Sequence, residues 1–180
     1  PAANLYDASL ETAYSAANYR QLLSAALGED AAPLSLTLLV NQENSFKVSA
    51  AQEVAYNLSA DDLTVTVEAL PWEQFLQRLT DGEFDLYYGE VRLSPNFDLS
   101  PFFGATGTLN YGSLSDSTMM NLCSMALVNS GNTYSLYKRV CERGYLTPIL
   151  FKSYALYTTR GAVTEPTHYI DWFLPVTDPS

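Results

Sequence analysis

The sequence predicts an α/β fold, a mostly parallel sheet with flanking helices. Three observations predict it. Between residues 34 and 88 the chain reads strand, helix, strand, helix, strand. The strand segments are apolar at every second position, and the helical ones carry apolar residues at helical spacing. The joints between them are short, which makes the helices crossovers between parallel strands.

Each element can be justified in turn. The first helix is expected over Ala16 to Leu27, capped by Ser15 and left through Gly28, with Tyr19, Leu22, Leu23 and Ala26 on one face. Glu29 to Pro33 is a loop. Leu34 to Val40 is a strand, with Leu34, Leu36, Leu38 and Val40 alternating against Ser35 and Thr37. Asn41 to Ser45 is a polar turn. The next helix covers Phe46 to Leu58, with Ala51, Val54, Ala55 and Leu58 inward. Ser49 and Gln52 have capping-box spacing, so its regular part is expected to start late. Leu63 to Ala69 alternates strictly and has one buried face. Pro71 opens a helix in which Trp72, Phe75, Leu76 and Leu79 share a stripe, and Asp81-Gly82 ends it. Phe84 to Tyr88 is a short apolar strand that runs into Gly89.

In such sheets ligands sit outside the carboxyl ends of the strands, so Gly89 to Phe103 is the first place to look for function. Beyond it, Ser115 can cap a helix bearing Met119, Leu122, Cys123 and Ala126 on one face. Asn129 to Asn132 is a turn. A second helix over Tyr134 to Arg143 carries Tyr137, Val140 and Cys141 and stops at Gly144. Leu146 to Thr159 is apolar and β-rich, with Pro148 breaking its start. The tail, residues 160 to 180, holds an apolar cluster, Tyr169, Ile170, Trp172 and Phe173, that must pack somewhere.

Composition removes several function classes. A net charge of −11, from 9 basic and 20 acidic residues, argues against a polyanion partner, and nucleic acid is not expected. Cys123 and Cys141 lack CxxC spacing, and His168 is the lone histidine, so neither a metal site nor a cofactor is expected. The two thiols are expected to be buried and free, or paired if neighbouring helices bring them together. No nucleophile elbow, phosphate loop or dinucleotide fingerprint is present, so the chain is not expected to be an enzyme. No apolar run reaches a membrane span, and no signal peptide is visible from Pro1 onward.

Several phrases in order resemble the dipeptide- and oligopeptide-binding family of extracellular solute-binding proteins, family 5. They are ANYRQLLSAALG, LSLTLLVNQE, DLTVTVEALPWEQFLQRLTDGEFDLYYGE with its Gly-x-Phe-Asp, LNYGSLSDSTMMNLCSMAL with its Asn-Tyr entry into a helix, and YLTPILFKSYALYTTRG. The match spans roughly residues 15 to 160 and concerns the second lobe of that periplasmic-binding-protein-like II fold. The resemblance implies that residues 1–160 are lobe II of a two-lobe protein. It also implies a first lobe preceding Pro1 and a tail over 161–180 that docks on this lobe or on the absent one. Many members carry a Trp and an Asp-Pro pair in the loop after Phe-Asp. Here that loop reads Gly89-Glu90-Val91-Arg92-Leu93-Ser94-Pro95-Asn96-Phe97-Asp98-Leu99, with neither, and the ligand class stays open.

Five residues are candidate ligand contacts. Arg92 can clamp a ligand carboxylate, or pair with Glu90 or Asp98 to shape the loop. The resemblance implies a carboxylate that receives a peptide amino group, a role open to Asp98, which can equally cap the turn before Pro101. Glu90 sits beside Gly89, where backbone can approach closely, or is an exposed loop acid. Asn110 and Tyr111 lie in a Gly-rich stretch, residues 104 to 112, where a Tyr can stack on a ligand or bury its ring. The resemblance implies the substrate-binding component of an ABC importer. It would take a peptide or other small solute in an interlobe cleft and meet a permease. It would lie outside the cytoplasm, with a lipid anchor on the parent protein. Two other readings are a ligand-sensing module of a regulator with the same fold and a cell-surface interaction domain.

Overall fold

The computed structural model describes residues 15–28, 32–94 and 96–150. The tail, with His168 and the apolar cluster, lies outside them, as does most of the strand expected over 146–159; residues 146–150 form no strand. The elements are α1 (Ala16–Leu27), β1 (Leu34–Asn41), α2 (Ser45–Leu58), β2 (Leu63–Leu70), α3 (Trp72–Asp81), β3 (Leu86–Tyr88), α4 (Ser100–Phe103), α5 (Ser117–Val128) and α6 (Thr133–Arg143).

The three strands form one sheet in the order β2-β1-β3, and both pairings are parallel. Leu34 lies opposite Leu63, and Leu38 opposite Leu86. Asp85, of the Gly-x-Phe-Asp phrase, locks the second pairing at its start: its Oδ2 accepts the Thr37 N–H at 2.8 Å.

Side-chain alternation sorts the core onto the two faces. Leu38 and Val40, with Leu63 and Val65, meet Ala51 and Ala55 of α2 on one face. The two alanines let the helix lie close on the sheet. Leu39 points the other way, against Phe75 and Leu79 of α3. Consecutive buried residues in β1 mark a central strand covered on both faces. A third cluster lies among the helices that follow: Phe102 and Phe103, Met119 and Cys123 of α5, and Leu136 and Val140 of α6.

The helix ends follow from local chemistry. Asn44 caps α2 by accepting the Lys47 N–H at 3.1 Å, so this helix begins at Ser45. The late start expected from Ser49 and Gln52 is corrected, because a capping side chain already stands at the end of the polar turn. Gly82 takes the left-handed conformation that closes α3, donating to Leu79 while Glu83 N–H reaches the Arg78 carbonyl. The cap of α5 is Asp116, not Ser115; its Oδ1 accepts the Met119 N–H at 2.9 Å. The same carboxylate takes Arg139 at 2.8 Å and has Arg143 at 3.6 Å, so one buried acid caps α5 and ties α6 to it. Helix α1 buries no residue fully: Tyr19 bonds the Leu58 carbonyl and Leu23 touches the sheet cluster, but Leu22 stays 61% exposed.

Among the described residues β2 is an edge of the sheet, and its own lead-in partly closes it. The N–H of Leu63 bonds Ala60 O at 3.1 Å, and that of Val65 bonds Ser59 Oγ at 3.0 Å. The odd-numbered backbone positions of β2 therefore face outward, since even-numbered ones serve β1. Among the described residues no helix is long and apolar enough to cross a membrane.

Candidate functional site at the strand tips

Strand β1 is the middle strand, and the chain leaves it for β2 on one side before returning to β3 on the other. The connections diverge onto opposite faces, α2 on one and α3 on the other. The carboxyl ends of β1 and β3 thus flank a topological switch point, where open α/β sheets bind ligands.

Side-chain bonds brace this end. Asn41 Oδ1 accepts the Glu43 N–H at 3.0 Å, and Glu43 Oε1 accepts the Trp72 N–H at 3.2 Å, so the turn after β1 also caps α3. Lys47, in the first turn of α2, meets Glu90, just past β3, with Nζ 2.8 Å from Oε2. Gly89 has little room for a side chain, because a Cβ there would stand 3.0 Å from the Tyr87 ring. A large apolar side chain follows each strand tip and stays in solvent: Phe46 at 56% exposure, Trp72 at 48% and Val91 at 42%.

The five candidates fall into different settings. Glu90 pairs with Lys47 at the tips, and Arg92 lies exposed nearby in the same segment. Asp98 is half-buried on the helical cluster. Its carboxylate accepts the Ser100 N–H at 2.8 Å and the Ser100 hydroxyl at 2.9 Å, which is the turn-capping role. Asn110 donates to the carbonyls of Gly104 and Leu114, both at 2.9 Å, and accepts the Leu114 N–H at 2.8 Å. Tyr111 sets its ring edge-on to Tyr87 at 6.0 Å and extends the α3 face of the core. Burial and then the neighbouring Tyr111 hydroxyl push the Tyr87 phenol upward.

Cys123 is buried, with its thiol pushed up to about 11 by burial and then by the Asp98 charge; Cys141 is exposed, and both are free. The expectation of two buried thiols is thus corrected for Cys141, which lies on the outer side of α6. A dent between Asp98, Cys123, Thr133 and Tyr137 has a volume of about 20 Å³, room for one water and no solute. Among the described residues no group of three or more His, Cys, Asp or Glu could hold a metal ion.

Sequence reasoning missed Lys47, Phe46 and Trp72 as members of the site. Lys47 and Glu90 are 43 positions apart, and only the order β2-β1-β3 makes them neighbours. The signal was present in the strand–helix alternation, which put both first turns at the carboxyl end.

No family model and no curated protein sequence matches the chain. Solved structures do. The oligopeptide-binding protein AppA from Bacillus subtilis, in complex with a nonapeptide, matches with a TM-score of 0.64 at 19% identity, covering 78% of this chain and 33% of that one. A nickel ABC transporter protein from Bacillus halodurans matches with a TM-score of 0.63 at 16% identity, over 79% and 33%. This chain has a periplasmic-binding-protein-like fold. The Escherichia coli murein tripeptide binding protein MppA shares that fold with a TM-score of 0.58 at 22% identity, over 72% of this chain and 27% of its own. The chain thus spans about a third or less of the length of these three binding proteins. In this periplasmic-binding-protein-like fold the partly buried tips of β1, β2 and β3 lie side by side at one end of the sheet.

Proposed function

We propose that this chain is one lobe of a solute-binding protein of an ABC importer, supplying one wall of an interlobe cleft for a peptide-like solute. The observation that carries the reading is the set of strand tips, each followed by an exposed apolar side chain, Phe46, Trp72 or Val91, at the switch point of a parallel sheet. Likeness of fold to peptide- and nickel-binding proteins supports it. Closure of a second lobe over these groups would bury them with the solute, and the closed form is what a permease would recognise. Arg92 is the proposed polar contact of the segment that leaves β3. The function is binding, not catalysis, and is exercised outside the cytoplasm by a parent protein anchored through lipid.

A half-cleft binds weakly, because much of a solute's surface stays wet. Amide NMR of this chain titrated with trialanine should move residues 42–47, 72–73 and 89–92, with a Kd on the order of millimolar. Micromolar affinity would contradict the half-cleft, and shifts confined to α5 and α6 would contradict its placement.

A further inference from the structure

Lys47 is less exposed than the paired cations Arg78, Arg139, Lys138 and Arg143: its side chain is 18% accessible, against 34%, 27%, 54% and 51%. It stands in the first turn of α2, at the mouth between β1 and β3. Its partner is a different kind of group. Glu90 is 47% accessible and belongs to the segment leaving β3, which has no regular secondary structure. The cation is therefore fixed in the wall of the switch point, while its carboxylate sits on the solvent side. Exposed apolar side chains adjoin both members in sequence, Phe46 before Lys47 and Val91 after Glu90.

A strongly hydrated ammonium is costly to bury without a carboxylate. In a pair this exposed on one side, another carboxylate can take the same position without leaving the cation bare at any stage. Partly exposed pairs are held weakly, so the exchange is cheap.

Resting on the cleft reading, we infer that Lys47 is the anchor for a solute carboxylate that carries an apolar group beside it, such as a peptide's carboxyl terminus, and that Glu90 holds this position in the empty protein. Phe46 and Val91 take the apolar group, and Glu90 turns out to solvent as the solute enters. The pair thus selects for anionic over amidated solutes, a preference opposed to the overall acidity of the chain.

The test uses this chain, with N-acetylphenylalanine and N-acetylphenylalaninamide as probes and amide NMR plus the Lys47 ammonium signal as readouts. The acid should bind more tightly than the amide and shift Phe46, Lys47 and Glu90. E90Q, which removes the competing charge, should tighten the acid by about threefold and leave the amide unchanged. K47Q should abolish the difference between the probes. Equal shifts from acid and amide at the strand tips, or an E90Q response identical for both, would overturn the anchor while leaving the cleft in place. No response at the tips from either probe would overturn both. Native-like amide spectra of the variants keep these outcomes separate from misfolding.

Discussion

Asn110 offers a sharp test of whether a polar loop residue serves the fold. Its amide makes three bonds inside one turn, two as donor to Gly104 O and Leu114 O and one as acceptor from Leu114 N–H. At a net of roughly 0.5–1.5 kcal/mol each, and with the side chain only half-buried, N110A should cost about 2–3 kcal/mol. For a domain of this size that is a fall of about 5–10 °C in Tm. N110D is the more telling change because it keeps the shape. One of its oxygens can still accept from Leu114 N–H, but the other would face two carbonyl oxygens at hydrogen-bonding distance. It should therefore be no more stable than N110A at neutral pH. The gap should narrow in acid, where the protonated carboxyl regains one donor. Urea titrations followed by circular dichroism at pH 7 and in acid give both numbers. N110D as stable as the parent at pH 7 would refute the reasoning, since the donors would then not matter.

Other outcomes follow from the same structure. Asp116 has its pKa held below the ordinary value of 3.8, chiefly by the Met119 N–H and then by Arg139 and Arg143, against the opposing effect of burial. A depressed acid stabilises above its unfolded pKa and loses that contribution as pH falls through the folded one. D116N should lower stability at pH 6, and urea midpoints for the two proteins should converge as the pH drops below 3.8. With its pKa near 11, Cys123 is about one part in a thousand thiolate at pH 8, so a disulfide reagent should titrate Cys141 promptly and Cys123 only after denaturant. A Cβ at Gly107 would fall 2.2 Å from the Pro101 carbonyl oxygen, so G107A should cost at least about 1–3 kcal/mol in the same urea assay.

The layered part of the fold was legible in the sequence because its signals are local and periodic. Alternation over Leu63 to Ala69 gave the face that packs on α2, and Pro71 and Gly82 bracketed α3 within a residue. What failed depends on partners distant in sequence. The stripe Tyr19, Leu22, Leu23, Ala26 has the right period, yet Leu23 alone of the four packs on the sheet cluster, Tyr19 bonds the end of α2, and no described element covers Leu22. Ser115 and Asp116 are both good caps, and Arg139 decides for the acid from 23 positions away. The short α4 has too few residues for a period, and Phe102 and Phe103 are fixed by packing on α5 and Tyr145. In the candidate site, the segment after β3 was located from topology, but the cation facing it was not, because composition shows Lys47 only as one scattered charge among many.

The blocked half of the β2 margin limits how the layer can widen. Among the described residues Ser59 and Ala60 occupy the first two outward positions, and none bonds the amides of Val67 and Ala69. A newcomer strand joining on that side can zip up only toward the carboxyl end, unless it first peels away the preceding turn. The opposite margin is a three-residue strand, too short to template a long ribbon. Among the described residues, side-by-side growth of copies into an extended sheet is thereby discouraged from both directions, by a serine hydroxyl on one and by brevity on the other.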